Sequence, residues 1–459
     1  MKTEYHLIEK YNIPVPRYTS YPPANFFTEE FSQADFRNAI VESNQHSPKN
    51  ISFYIHIPFC LRMCYFCGCN SYGIKNDHVI DDYIQALKTE IKTMVSHLDR
   101  SRPISQIHYG GGTPNAIPVE YLQEINEILL SSFPTIEKPE IAIECNPAYL
   151  TFKQMDGLKK AGFKRFSLGI QDFDPRVLKT VNREEPGMPV KEIMAYFKKD
   201  DPEVAVNLDF IYGLPKQCAD SFVRAIEQAI ELRPDRLVTF SYAHVPWVSK
   251  IQKKLEKAGL PESDEKMRMF ENASELLLKS GYHAIGFDHF ALEDDELTQA
   301  YRNKELHRNF QGYCTRRTTG QVYALGVTSI SQLNTVYAQN TKSIDEYIKV
   351  AGKGDIPTFK GYKLDNDQII IRDVITELMC NEQVVWEEIG KRFSKTSEEI
   401  KNTIKYDLPR LKEFEADGII QVSDDKITVS DMGLILIRNV AASFDPLLTS
   451  TTKTFSKSV

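Results

Sequence analysis

Cys60-Leu-Arg-Met-Cys64-Tyr-Phe-Cys67-Gly-Cys69 places four thiols within ten positions, in the pattern C-x3-C-x2-C-x-C. Such crowding in one short loop marks a metal or iron–sulfur site. Structural zinc usually takes two thiol pairs on separate arms, so that a tetrahedron closes around one ion. Here Cys60, Cys64 and Cys67 can instead grip one side of a [4Fe–4S] cluster. Three thiolates for four irons leave one iron open, and an open metal position is where chemistry takes place. A closed zinc site and a redox thiol group are the alternatives for this loop.

The loop follows an apolar strand-like run, Ile51 to Ile57, and precedes a helix-like stretch over 78–98. The same alternation continues outward. Strand patterns at 104–109, 139–145, 163–170, 204–211 and 235–243 are each followed by a helical pattern. Apolar β-rich runs alternating with helices predict βα units and a parallel sheet. About six units precede residue 260, whereas a closed barrel of this type needs eight. The expected fold class is therefore α/β, a partial, open-sided (β/α)6-type parallel barrel. His283 to Phe287 would extend the sheet. Residues 1–50, punctuated by Pro14, Pro16, Pro22 and Pro23, read as an irregular arm over the site. The barrel with its extension would span 51–360. Residues 361–459 read as a small, mainly helical domain, with helices at 369–380, 384–393 and 397–417 and a short hairpin at 419–429.

Composition narrows the function. The chain has 459 residues and a net charge of −7, with no basic tail. Nucleic-acid binding gains no support from that balance. No apolar run is long enough to span a bilayer, and the first residues lack a signal-peptide core. The other four of the eight cysteines are scattered, at 145, 218, 314 and 380, unlike a disulfide framework. A reducing cytoplasm and a monomer are expected.

In parallel α/β folds the active site forms at the carboxyl ends of the strands. Polar or glycine-rich groups fall at seven such ends: the cysteine loop, Gly110-Gly-Gly-Thr-Pro114, Glu144, Gln171-Asp172, Asp209, Tyr242-Ala-His244 and Asp288-His289. Glycines at 110–112 would let backbone N–H groups approach an anion closely. Glu144 and Asp209 could accept bonds from hydroxyls or an ammonium, and Arg183 could clamp a carboxylate. The plainer alternatives are satisfied structural carboxylates and, for Arg183, a surface ion pair.

The cysteine motif followed by Gly-Gly-Gly-Thr-Pro resembles the radical S-adenosylmethionine (SAM) superfamily. The resemblance runs through Arg17-Tyr-Thr-Ser-Tyr-Pro22, Tyr54-Ile-His-Ile-Pro-Phe-Cys60, Cys69, Val181-Asn-Arg-Glu184, Tyr212-Gly-Leu-Pro-Lys216, Asp288-His-Phe-Ala291 and His307-Arg-Asn-Phe-Gln-Gly-Tyr313. Together these are similar to the oxygen-independent coproporphyrinogen III oxidase family. A heme-chaperone relative of that family typically lacks the arm and the fourth cysteine. The resemblance implies that Cys60, Cys64 and Cys67 bind a [4Fe–4S] cluster whose open iron chelates one SAM. It implies a second SAM alongside. By position, Tyr54, Gly111, Glu144 and Ile330 would face the first, and Phe66, Gly112, Thr113, Gln171, Arg183, Asp209 and Ala243 the second. Cleavage of SAM to a 5′-deoxyadenosyl radical would drive decarboxylation of two propionates of coproporphyrinogen III to vinyls, giving protoporphyrinogen IX. Tyr54, Glu144, Phe310 and Gln311 are the expected catalytic residues. The reaction needs an electron donor and an electron acceptor. Arg17, Tyr18, Tyr21 and Arg308 would serve the carboxylate-rich ring. Two segments depart from the family pattern: Cys314 to Gln321, which adds Arg316 and Arg317, and Val440-Ala-Ala-Ser-Phe-Asp445. They leave a heme-trafficking or heme-modifying paralogue as the alternative.

Overall fold

The computed structural model describes residues 5–74, 77–449, 451 and 453–456. Positions 1–4 of the expected arm, and 450, 452 and 457–459 of the expected C-terminal domain, lie outside the described residues. Six strands alternate with helices in chain order: β1 (Ile51–Ile57), β2 (Ile104–Gly111), β3 (Thr135–Cys145), β4 (Arg165–Gln171), β5 (Ala205–Tyr212) and β6 (Arg236–Ser241). All neighbouring pairs among them are parallel. The open barrel expected from the alternation is present, and it does not close. One flank is an antiparallel pair, β7 (Tyr282–Ile285) and β8 (His289–Leu292), with β8 lying between β6 and β7. A hairpin apart from this sheet, β9 (Leu306–Asn309) and β10 (Gly312–Thr315), follows. The other flank runs β11 (Gln321–Leu325), β12 (Ile330–Gln332), β13 (Val336–Asn340) and β14 (Thr358–Lys363), with β11 parallel to β1. The whole is one 12-stranded sheet.

Alternation along β1 explains its two faces. Phe53, Ile55 and Ile57 join the buried core that Tyr83, Ile84, Leu87 and Ile91 of helix Asp77–His97 complete. Tyr54 and His56 therefore point the other way, into the barrel. The lower interior holds a charged network. Arg165 pairs with Glu140 at 2.7 Å and Arg236 with Asp295 at 2.8 Å. The amino end of the strands is thus a structural floor.

Three readings of the sequence need correction. Val384 and Val385 form a strand with Gln383, pairing with Lys426–Val429, and only Trp386–Phe393 is helical. A β-branched pair favours the strand. The stretch 397–417 is two helices, Ser397–Ile404 and Leu408–Ala416, because Lys405 turns left-handed (φ 47°) and Pro409 opens the second. The arm is less irregular than its prolines suggest. It contains helices Tyr5–Tyr11 and Gln33–Ser43, the latter started by a Ser32–Asp35 capping box.

Candidate active site

The cysteine loop leaves β1 and is tied at both ends. Phe59–Cys60 pairs in parallel with Tyr72–Gly73, and Ile74 N–H donates to Cys60 O at 3.0 Å. Two other segments clamp its middle. Tyr65 N–H donates to Val181 O (2.9 Å) and Asn182 Nδ2 to Met63 O (2.8 Å). Ser249 Oγ donates to Cys67 O and Gln252 Nε2 to Phe66 O, each at 2.9 Å. Cys60 is buried, Cys64 and Cys67 are half-buried, and Cys69 is exposed. Burial pushes the Cys60 and Cys64 thiols up, against Thr113 and Arg183 respectively. Hydrogen bonds from Cys69 pull Cys67 down, its backbone N–H lying 3.4 Å from Cys67 Sγ. Cys69 thus supports a neighbouring thiolate. Among the described residues no three His, Cys, Asp or Glu side chains converge as ligands of a single ion do. The thiol loop suits a cluster, whose irons lie at separate points, better than one tetrahedral zinc.

The glycine turn works differently from the anion cradle expected. The Gly112 N–H donates to Ile57 O (2.7 Å) and the Thr113 N–H to Phe59 O (2.9 Å), so both amides are committed to the cysteine loop. A Cβ on Gly112 would lie 2.7 Å from the Pro58 carbonyl, and one on Gly111, at φ +118°, 2.7 Å from the His56 ring. Glycine is needed here for close packing. What the turn can offer a ligand is carbonyl oxygen, an acceptor suited to an ammonium group.

Around it the strand ends converge. A carbonyl only accepts, so His56 Nε2–H donates to Asn70 O (3.1 Å) and Nδ1 accepts from Tyr54 O–H (3.1 Å). Burial pulls His56 down to about 4, which keeps it neutral, and burial beside Glu144 keeps Tyr54 protonated. His108 Nε2 lies 3.2 Å from Glu144 Oε1, and its ring stacks on Tyr54. Neither His56 nor His108 was singled out from sequence. Their signal is strand alternation, which puts them on the interior face with Tyr54 and Gly110. Glu144 is half exposed and reaches toward Gly110 and Tyr54. Asp209 is pushed up to about 6 by burial, although Ser167 Oγ (2.8 Å) and Asn207 Nδ2 (2.7 Å) both donate to it. Gln171 turns left-handed (φ 69°), and its buried Oε1 has no partner. Arg183 bonds Gly169 O and lies 3.4 Å from Asn146 Oδ1 and 3.6 Å from Cys64 Sγ, so its guanidinium faces the cysteine loop and not a surface ion pair. Phe66 packs beside Tyr242, next to the half-buried Ala243.

Other expected groups serve the framework. Asp172 caps the following turn through Asp174 N–H and accepts from Gln217. His244 bridges Tyr242 and Glu256. Cys145 is buried, and burial drives its thiol far up. Asp288 lies in the turn between the edge strand β7 and β8 and does not end a seventh strand of the parallel run.

Phe310 and Gln311 form the two-residue turn of the β9–β10 hairpin, where Asn309 pairs with Gly312. Phe310 packs edge-on to Tyr337, in a cluster with Ile330 and Phe27. Ile330 lies on β12, two strands from Tyr54. Burial raises the Asp288 carboxyl, but His289, Arg308 and Arg17 outweigh it and hold it below the usual range. Arg438 is pulled down to about 10 by burial and by Arg17 and Arg308. Arginines from the arm, the hairpin and the C-terminal domain thus crowd one region.

The sequence profile of the Radical SAM superfamily matches residues 54–229. The chain is 39% identical over 448 residues to the oxygen-independent coproporphyrinogen III oxidase of Synechocystis, covering 97% of this chain and 96% of that protein. It is 37% identical over 442 residues to the enzyme of that name from Escherichia coli, covering 96% and 95%. The solved structure of the Escherichia coli coproporphyrinogen III oxidase, described as a radical SAM enzyme, superposes with a TM-score of 0.88 at 35% identity, over 97% of this chain and 99% of that one. A likeness of that extent, arm and C-terminal region included, decides the matter: the chain belongs to the oxygen-independent coproporphyrinogen III oxidase family of the radical SAM superfamily.

Proposed function

We propose that this protein converts coproporphyrinogen III to protoporphyrinogen IX without oxygen, in heme biosynthesis. Each of two propionates loses a β-hydrogen, carbon dioxide and an electron and becomes a vinyl group. The observation that carries the reading is a juxtaposition. A three-thiol loop and a ring of strand-end acceptors sit beside a region crowded with arginine. When bound, the cluster and SAM supply the hydrogen-abstracting chemistry of the superfamily.

The chain's own residues then have separable tasks. Cys60, Cys64 and Cys67 hold the cluster. Arg183, 3.6 Å from Cys64 Sγ, favours the thiolate. Tyr54, Gly111, Glu144 and Ile330 orient the first SAM, with Glu144 and glycine-turn carbonyls receiving its ammonium. Phe66, Gly112, Thr113, Gln171, Arg183, Asp209 and Ala243 receive the second SAM. The unpaired Gln171 Oε1 and the strained Asp209 carboxyl are acceptors awaiting hydroxyl or ammonium donors. Phe310 and Gln311 meet the substrate from the hairpin tip.

The cationic region explains the substrate class. Burial and then the nearby Arg17 and Arg308 pull Arg438 down, burial and then Arg17 pull Lys266 down, and Asp288 is a nearby counter-charge. A ring bearing four carboxylates relieves that repulsion. The departures from the family pattern lie in the framework. Arg316 pairs with Glu377 and Arg317 with Glu296, while Val440, Ala441 and Phe444 are core. They give no support to a different tetrapyrrole. Among the described residues no helix is long and apolar enough to cross a membrane, and all eight cysteines are free, which supports action in a reducing cytoplasm. The test is anaerobic. The reconstituted protein with SAM, reductant, an electron acceptor and coproporphyrinogen III should give product lacking two carboxyl groups, with 5′-deoxyadenosine. Cleavage of SAM with unchanged tetrapyrrole mass would overturn the oxidase reading and favour a heme-handling paralogue.

A further inference from the structure

Beside the cysteine loop lies a surface that the reaction's groups do not use. Trp247 is 77% exposed, Val248 66% and Leu61 55%, the three most exposed large apolar side chains among the described residues. Leu61 belongs to the cysteine loop itself. Trp247 and Val248 belong to the segment that clamps it, through Ser249 to Cys67 O and Gln252 to Phe66 O. Immediately after them come exposed Lys250, Lys253, Lys254 and Lys257, against the single acidic Glu256, whose carboxylate already meets His244 at 2.9 Å. Lys254 Nζ sits 4.2 Å over the ring of Tyr65, between Cys64 and Cys67. An exposed apolar pair, Trp247 and Val248, followed at once by lysines, is the anatomy of a docking face for a partner of opposite charge. In a chain of net charge −7, this local excess of lysine stands apart.

We infer that this face docks a small acidic one-electron carrier protein, which reduces the cluster held by the adjoining loop. The inference rests on the reading of Cys60, Cys64 and Cys67 as cluster ligands. One electron leaves the carrier's reduced cofactor and takes the bound cluster from its 2+ to its 1+ state, with no bond or proton transferred. Hydrogen bonds and the Lys254–Tyr65 contact join the face directly to the loop, so the transfer path is short. Electrostatic steering by such lysines accelerates encounter by about 10- to 1,000-fold and weakens with salt.

The test uses the reconstituted holoprotein and two reductants. Reduced flavodoxin, a small acidic flavoprotein, is the carrier probe, and dithionite is a small reductant that needs no docking face. Cluster reduction is followed by its visible absorbance, and binding of oxidised flavodoxin by calorimetry. Trp247→Ala, and the triple variant Lys250→Glu, Lys253→Glu, Lys257→Glu, should each slow reduction by flavodoxin at least tenfold and weaken its binding. Reduction by dithionite should stay unchanged, and the wild-type flavodoxin rate should fall with salt. Wild-type rates and binding in both variants, a salt-insensitive wild-type rate, or equal slowing with dithionite would overturn the docking face. Should the triple variant fail to hold a cluster, Trp247→Ala and the salt series decide. Failure of the wild type to take up any cluster would instead overturn the ligand assignment, so the two failures are distinguishable. Neither readout requires tetrapyrrole turnover.

Discussion

Asp209 shows at the scale of one residue what the site costs the fold. Its carboxyl is pushed up to about 6 by burial, and its donors, Ser167 and Asn207, do not offset that. The folded value lies above the ordinary one, so between about pH 4 and pH 6 the folded protein keeps a proton that the unfolded chain has lost. Stability therefore falls as pH rises through that window. Asp209→Asn should stabilise the as-isolated protein by about 1–3 kcal/mol at pH 7 and by much less near pH 4. Urea unfolding at both pH values checks this, and a gap that does not widen with pH would remove the strain argument. The same variant should bind SAM more weakly, as groups retained for function commonly trade against stability. This carboxylate was legible in the sequence because it is the one charge in an apolar strand pattern, just ahead of the turn Tyr212-Gly-Leu-Pro215. The two histidines were not. His56 and His108 lie inside strand patterns, where only the interior face distinguishes them from core filler. Gly112 was legible as unusual but misread in cause, since no sequence rule shows that its amide already serves Ile57 O.

Among the elements, the β9–β10 hairpin and helix Asp77–His97 make opposite kinds of contribution. On the proposed reading the hairpin presents its tip to the substrate. Its turn consists of Phe310 and Gln311, and its strands carry Arg308 and Tyr313, the guanidinium lying 5.3 Å from the ring centroid. Phe310→Ala and Gln311→Ala should leave cluster absorbance and SAM binding intact yet lower decarboxylation about tenfold or more, since misplacing substrate by an ångström can cost about 100-fold. Unchanged product masses over time would take the hairpin out of the site. Helix Asp77–His97, by contrast, is a brace. Glu90 accepts from Gly326 N–H (2.8 Å), Asn340 Nδ2 (2.7 Å) and Tyr347 O–H (2.5 Å), joining the helix to β13 and to the loop after β11. Glu90→Ala would take the carboxylate from Gly326 N–H and Tyr347 O–H, while Asn340 Nδ2 keeps Gly326 O (3.0 Å), and should cost about 2–5 kcal/mol, read as a lower urea midpoint. A loss below about 1 kcal/mol would mean that water replaces the carboxylate. The parallel alternation was readable because 3.6- and 2-residue periods alternate cleanly there. The C-terminal helices were harder, because Lys405 breaks the run 397–417 by adopting a conformation that no side-chain pattern announces.

The whole molecule is closed by its two ends. Leu7, Tyr11, Val15, Tyr18 and Tyr21 of the arm lie in one buried cluster with Trp386, Phe414 and Phe444 of the C-terminal domain. Arg438 donates to Val15 O (2.5 Å) and Pro16 O (3.1 Å), Asn439 Nδ2 to Tyr11 O (2.8 Å), and Tyr18 O–H to Asp445 Oδ2 (3.0 Å). Further along, Thr28 pairs with Gly361, so the arm also covers the edge strand β14. Sequence reading saw prolines and aromatics in the arm but could not foresee these pairings, because their partners lie more than 300 residues apart. The consequence is mechanistic. Arg17 stands between these tethers, so whatever loosens them withdraws one cation from the substrate region while leaving the cysteine loop in place. Arg438→Ala removes the tether to Val15 and Pro16 and should speed proteolysis within residues 5–31 about tenfold, equivalent to about 1.4 kcal/mol in arm closure. Tetrapyrrole decarboxylation should fall in parallel, while iron content and SAM cleavage in the absence of substrate stay at the wild-type level. Parallel loss of the cluster would mean that the C-terminal core holds up the barrel itself. Unchanged proteolysis would mean that Tyr18, Asn439 and the apolar cluster secure the arm without Arg438.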